Sequence, residues 1–331
     1  GGKYQVALDL LQRALTLADP AQHVSLWSDL ARAYYVTGDY NASIHAAQQA
    51  LARCAPDDLA RRAEIHAHFV ANYQAQGDYL RSRALARLRL IYAEMSGSDY
   101  GVARALGNLG NSCRLLGDYR LGQLYLQAAI RASRAIDDAL GVILALNSLG
   151  QLLLTRGDFD AAIACYQEVI TLSDEVGDRF GEAAANTNLA SIYGLRGDYA
   201  RSIALTRRGY ALFLDMGEQR GVAVTLSNLG RYSASLGAVD EGRSYVRQAL
   251  RIHQASGNVR SQARCQLYLG EIELGQGQYA AALEQFDAAK ALFETINNKE
   301  GIAQTLYNTG ITLAQQGQTE RATALLHEAL T

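Results

Sequence analysis

The side chains best suited to recognition chemistry are four asparagines, Asn108, Asn188, Asn228 and Asn308, placed at multiples of 40 residues, with Ser148 and Tyr268 in the gaps. An amide both donates and accepts hydrogen bonds, so one amide per step can hold the backbone of an extended peptide. The same ladder can instead tie one structural repeat to the next, and the residues alone leave both readings open. Helical spacing adds Arg104, Asn111 and Arg114, then Asn147 and Gln151, then Ser191, Ser227, Arg231, Arg264 and Glu271 to one broad polar stripe. Its arginines suit a carboxylate or an acidic peptide, because a guanidinium presents a planar fork of donors.

Catalytic spacings are absent from the sequence: it contains no phosphate loop, GxGxxG, HExxH or GxSxG. His66 and His68 stand two apart, whereas ligands sharing a metal on a helix favour spacings of three or four. Cys54, Cys113, Cys165 and Cys265 form no CxxC pair, which argues against a zinc site or disulfide scaffold and for a reducing compartment such as the cytoplasm. No catalytic residue, cofactor or metal is expected, and the chain reads as a non-enzyme.

The elements that position the ladder follow from a repeat. Gly77, Gly117, Gly157, Gly197, Gly237, Gly277 and Gly317 lie 40 residues apart, and Gly38 precedes them by 39. A second lattice runs through Gly101, Gly141, Gly181, Gly221 and Gly301, with Ser261 in its gap. A third pairs Leu109-Gly110, Leu149-Gly150, Leu189-Ala190, Leu229-Gly230 and Leu269-Gly270. A fixed period of this length marks a solenoid.

Each unit reads as helix, turn, helix and polar link. The turn glycine ends the first helix in the left-handed conformation, and the aspartate after it (Asp39, Asp78, Asp118, Asp158, Asp198) caps the second. The next aromatic (Tyr40, Tyr79, Tyr119, Phe159, Tyr199, Tyr279) should plug the joint. Gly237 and Gly317 are followed by Ala238 and Gln318, so weaker helix starts are expected there. The small residue of the Leu-Gly pair should make a notch, faced by Gly122, Ala162, Ser202, Gly242, Ala282 and Ala322 of the second helix.

By this reading residues 1–20 carry an orphan second helix ended by Pro20, and residues 21–331 form eight hairpins in one continuous solenoid. The mid-repeat start and missing Met lead us to expect a piece of a longer protein. Unpaired first and last helices suggest head-to-tail self-association.

With 49% hydrophobic and 19% charged residues, the 331-residue chain has ample core material. A net charge of −2 offers no field for a phosphate backbone, so nucleic acid is not an expected partner. No apolar run is long enough for a membrane span, and the chain is not expected to contact a membrane. Of 31 basic residues only Lys3, Lys290 and Lys299 are lysine, a bias expected of a GC-rich bacterial genome.

These residues resemble the tetratricopeptide repeat in a 40-residue form. The first-helix pattern appears as Trp27, Leu30, Ala31 and Tyr34, and the second-helix pattern as Ala282, Phe286 and Ala289. The link from Gly177 to Ala183, followed by Asn-Leu, looks like the subgroup of bacterial signalling proteins and eukaryotic adaptors. Kinesin light chains, spindle-orientation adaptors and the sensor arms of bacterial signal-transduction ATPases such as the maltose regulon activator belong to it. The resemblance implies an all-α, right-handed superhelical solenoid with first helices on its concave face. It also implies that asparagines just before the Leu-Gly pair bind ligand backbone. Two functions follow: a scaffold recognising a protein or peptide segment in a concave groove, or the ligand-sensing arm of a multidomain signalling ATPase.

Overall fold

The computed structural model describes residues 2–329, so the expected end at Leu330-Thr331 lies outside the described residues. The described residues form helices and turns, with no strand among them. They divide into two compact units, residues 1–176 and 177–331.

Unit 1 opens with α1 (Gly2–Leu17) and a short 3-10 turn at Pro20–Gln22, where proline stops the helix. Four hairpins follow: α2 (His23–Thr37) with α3 (Tyr40–Arg53), α4 (Leu59–Gln76) with α5 (Tyr79–Met95), α6 (Asp99–Leu115) with α7 (Tyr119–Ala135), and α8 (Ala139–Thr155) with α9 (Phe159–Val176). Unit 2 holds four more: α10 (Arg179–Leu195) with α11 (Tyr199–Asp215), α12 (Gln219–Ser235) with α13 (Val239–Ala255), α14 (Val259–Gly275) with α15 (Tyr279–Thr295), and α16 (Lys299–Gln315) with α17 (Thr319–Glu328). Within each unit the backbones of the first helices of successive hairpins approach one another, while second-helix backbones approach only first helices and Arg134 of α7 reaches Glu168 of α9 through its side chain.

The hairpin corner is dictated by backbone sign. Gly38, Gly77, Gly117, Gly157, Gly197, Gly237, Gly277 and Gly317 all have φ between 69° and 92°, which costs a residue without Cβ nothing. Asp39, Asp78 and Asp198 then cap α3, α5 and α11 by accepting from the amides of Ala42, Arg81 and Arg201. Asp118 departs from the expectation: its side chain makes no cap, and its carboxylate lies 4.0 Å from Arg83 Nη1 instead. The starts of α13, α15 and α17, where Ala238, Gln278 and Gln318 stand, have no side-chain cap.

A further lattice at the link between hairpins was not anticipated. Asp58, Ser98, Asp138, Asp178, Asn258 and Asn298 each accept from the amide three residues on, and Glu218 from the amide two residues on, so these first helices are capped as well. One residue earlier the chain turns through positive φ at Gly97, Asp137, Gly177, Gly217, Gly257 and Asn297.

The notch is real and filled. A Cβ on Gly110 would sit 2.7 Å from Leu126 Cγ, on Gly150 2.8 Å from Tyr166 Cζ, and on Gly270 2.4 Å from Phe286 Cε1. The facing small residue lets the backbones meet, since a Cβ on Gly242 would lie 2.6 Å from the Gly230 carbonyl oxygen. Where that residue is serine its hydroxyl uses the same carbonyl: Ser43 donates to Ala31 O at 2.6 Å and Ser202 to Ala190 O at 2.9 Å. Tyr166, Phe286, Leu30, Leu109 and Leu126 are fully buried, and each of the leucines and Phe286 contributes about 1.5–3 kcal/mol.

Candidate functional site

Two charged side chains of the second helices pair with first helices. Arg243 of α13 forms a bidentate pair with Glu273 of α14 at 2.8 and 3.0 Å, and Arg208 of α11 donates to Glu182 of α10 at 2.8 Å. The predicted stripe lies on the first helices.

In unit 1, Arg104, Asn108 and Asn111 of α6 and Ser148 of α8 line one cleft of about 210 Å³. Its floor and walls are Ala103, Gly107, Ala129, Gly141, Leu144 and Ala145. Asn108 is half-buried, and its side-chain amide has no partner among the described residues. Asn111 is committed: its Nδ2 donates to Gln74 Oε1 at 3.2 Å, and its Oδ1 accepts from Arg114 Nε and Nη2 at 3.1 and 2.8 Å. That network joins α4 to α6, and burial pushes the Arg114 guanidinium below its ordinary range. On α8, Asn147 keeps a buried Oδ1 without a hydrogen-bond partner, and Gln151 is half-buried one turn on.

Arg104 sits over the Tyr100 ring at 5.2 Å, and its Nε lies 3.3 Å from Asp138 Oδ2, although neither atom forms a hydrogen bond. Beside it stands Arg89 of α5, whose Nη1 donates to the Arg104 carbonyl at 3.3 Å and whose Nε is buried without a partner. Burial, then the charge of Arg104, pushes Arg89 down to about 10. Reasoning from sequence missed Arg89 because it belongs to a second helix, outside the stripe.

In unit 2 the stripe closes on itself. Tyr268 of α14 is buried between two guanidiniums, Arg231 of α12 at 5.3 Å and Arg264 at 5.8 Å from its ring centre, and Arg264 Nη2 donates to its hydroxyl at 2.8 Å. Glu271, one turn along, lies 3.8 Å from Arg231 and accepts from Asn308 Nδ2 at 3.2 Å. Burial pushes the Glu271 carboxyl up, opposed by Arg231 and the Asn308 amide. Asn308 thus links adjacent repeats. Asn228 is buried beside Ser227, His253, Arg264 and Tyr268 at a cavity of only about 30 Å³. Asn188 is half-buried on α10, its amide without a partner among the described residues. Arg231 and Arg264 also line a wider cleft of about 480 Å³ with Arg260, Glu300 and Gln304.

Among the described residues no group of three or more His, Cys, Asp or Glu is placed to hold a metal. No described helix is long and apolar enough to cross a membrane. Burial pushes His68 down to about 4 and Cys165 up to about 11, which leaves the imidazole neutral and the thiol protonated near pH 7.

Tetratricopeptide repeat models match residues 101–175, 141–215, 221–295 and 261–331, and a further one matches residues 1–58. No curated protein matches the chain. A Rap protein complexed with Competence and Sporulation Factor is similar in structure, with a TM-score of 0.71 at 12% identity over 99% of this chain and 97% of its own. The apo form of the quorum sensor NprR from B. thuringiensis gives 0.70 at 13% identity over 99% and 98%. Aspartyl phosphate phosphatase F from Bacillus subtilis gives 0.68 at 11% identity over 98% and 87%. At these identities the likeness is one of fold.

Proposed function

Because the chain belongs to the tetratricopeptide repeat family, we propose that it is a non-catalytic scaffold whose first helices receive an extended segment of a partner protein or a peptide. The observation that carries this reading is the distribution of uncommitted polar groups. Asn108, Asn188 and the Asn147 side-chain oxygen lie on first helices without hydrogen-bond partners among the described residues. In this role Asn108 and Asn188 hold ligand backbone, Asn228 and Asn308 steady the lining beside them, and Arg104, Arg231 and Arg264 select side chains. Further support comes from two similar structures, a Rap protein complexed with Competence and Sporulation Factor and the quorum sensor NprR.

The test is selection of phage-displayed random peptides on the whole chain, followed by titration of a recovered peptide against the protein with Asn108, Asn188, Asn228 and Asn308 changed to alanine. Losing several hydrogen bonds worth about 1 kcal/mol each lowers affinity at least tenfold. Unchanged affinity removes the ladder from the account, and the recovery of no peptide removes the scaffold.

A second reading, the sensing arm of a multidomain bacterial signalling protein, draws on the likeness to NprR. It requires an effector domain in the same open reading frame, which the parent gene sequence decides.

A further inference from the structure

Gly107 occupies the middle of α6 with ordinary helical backbone, and a Cβ there would meet only Ala129 Cβ, at a comfortable 3.9 Å. Gly110, one turn on, is different: its Cβ would collide with Leu126 at 2.7 Å. Gly110 is needed for packing, whereas Gly107 weakens the helix without bringing any element closer. The same repeat position carries Ala67, Asn147, Thr187, Ser227, Leu267 and Tyr307 elsewhere, so the missing side chain is local to this hairpin. What the glycine provides is room, since it floors the 210 Å³ cleft walled by Ala103, Ala129, Leu144 and Ala145. A cavity of about 150 Å³ holds a benzene-sized group, so the volume of this open cleft admits a leucine, isoleucine or methionine side chain against its apolar wall.

The rim is polar and carries surplus positive charge. Arg89 and Arg104 stand together, and the nearest carboxylate, Asp138, is already engaged through Oδ1 with the Gly141 amide at the start of α8. The Arg104 side chain is 20% exposed and the Asp138 side chain 11%, so the guanidinium remains within reach of a ligand. Asp138 pairs with Arg104 alone, and Arg89 beside it has no ion pair among the described residues, so a second anion brought to the two guanidiniums is stabilised there.

We propose that the Gly107 cleft is a specificity pocket that takes one aliphatic side chain of the bound segment, with a neighbouring aspartate or glutamate received by Arg104 and Arg89. The occupant is thus a peptide with an aliphatic residue beside an acidic one, its backbone held by Asn108. The inference rests on the peptide-scaffold reading above and adds the chemistry that the scaffold selects.

The experiment uses peptides recovered from a phage-displayed random library on the whole chain, titrated against wild type, Gly107→Ala, Gly107→Leu and Arg104→Gln, with helicity followed by circular dichroism. The expected consensus pairs an aliphatic with an acidic residue. Gly107→Leu weakens binding at least tenfold and Gly107→Ala less, and in the Leu variant shortening the peptide's aliphatic residue to alanine costs nothing more. Arg104→Gln likewise cancels the effect of changing the peptide's acidic residue to its amide. A folded Gly107→Ala protein whose loss is additive with truncation of the peptide overturns the pocket, as does a consensus lacking either residue. Peptides that depend on the asparagines but ignore Gly107 and Arg104 overturn this proposal alone, whereas an empty selection takes the scaffold reading with it.

Discussion

Gly107→Ala should stabilise unit 1, and Gly230→Ala should destabilise unit 2, although both replace a glycine in the interior of a first helix. Alanine is worth about 0.8–1.0 kcal/mol over glycine inside a helix. At residue 107 the new Cβ lies 3.9 Å from Ala129 Cβ, so no repulsion opposes that gain. At residue 230 it lies 2.4 Å from Val246 Cγ2 and 2.7 Å from the Gly242 carbonyl oxygen. A carbonyl on the facing helix cannot rotate away, so α12 and α13 must separate, and overpacking of this kind costs about 1–3 kcal/mol. The net at residue 230 is a loss. Repeat arrays need not unfold in one step, so amide exchange read helix by helix should accompany the denaturation curve. For a unit of this size a gain of about 1 kcal/mol corresponds to a rise of roughly 2–4 °C in its transition. If Gly107→Ala destabilises as much as Gly230→Ala, then Gly107 has a packing role and the argument for its cleft fails. A more stable variant that binds peptide less well is the expected trade of stability against function.

Tyr166 is fully buried with a hydroxyl that has no hydrogen-bond partner, and Phe286 fills the equivalent place three repeats on. Tyr166→Phe should therefore stabilise unit 1 by about 1 kcal/mol or more in denaturant unfolding, and a loss of stability would reveal a partner for the hydroxyl. Gln278 has the backbone of a cap without the capping bond, so Gln278→Asp should stabilise α15 by about 1 kcal/mol, and slower amide exchange at its first turn checks this. His68, pushed down to about 4 by burial and then by the charges of Arg32 and Arg89, stays neutral in the folded state while the unfolded chain takes up a proton near pH 6.5. Its contribution to stability is thus complete above pH 6.5 and is lost as the pH falls towards 4. An NMR titration of the imidazole with a midpoint near 6.5 would contradict this.

The hairpins were legible because two of their requirements leave a residue type behind. A left-handed corner demands glycine, and a carbonyl 2.6 Å from a Cβ position demands glycine as well, so Gly237 and Gly242 mark the turn and the close approach in the letters themselves. The link between hairpins was not read because its requirement is met by several residues. Its caps are Asp138, Ser98, Asn258 and Glu218, and its positive-φ position accepts Asp137 and Asn297 as well as glycine. The asparagine ladder was visible as spacing, but its division was not. Whether Asn308 meets Glu271, 37 residues away, depends on rotamers and on the offset of neighbouring helices, which a 40-residue period does not record. Arg89 escaped for a related reason, since only the packing of α5 on α6 brings it to Arg104.

The most direct test of the central claim is amide hydrogen exchange on the whole chain with and without a selected peptide. The account predicts added protection on the first helices, centred on α6 and α8 around Asn108, Gly107 and Ser148, with α7 and α9 unchanged. Protection confined to the second helices, or spread evenly over both members of each hairpin, would contradict it.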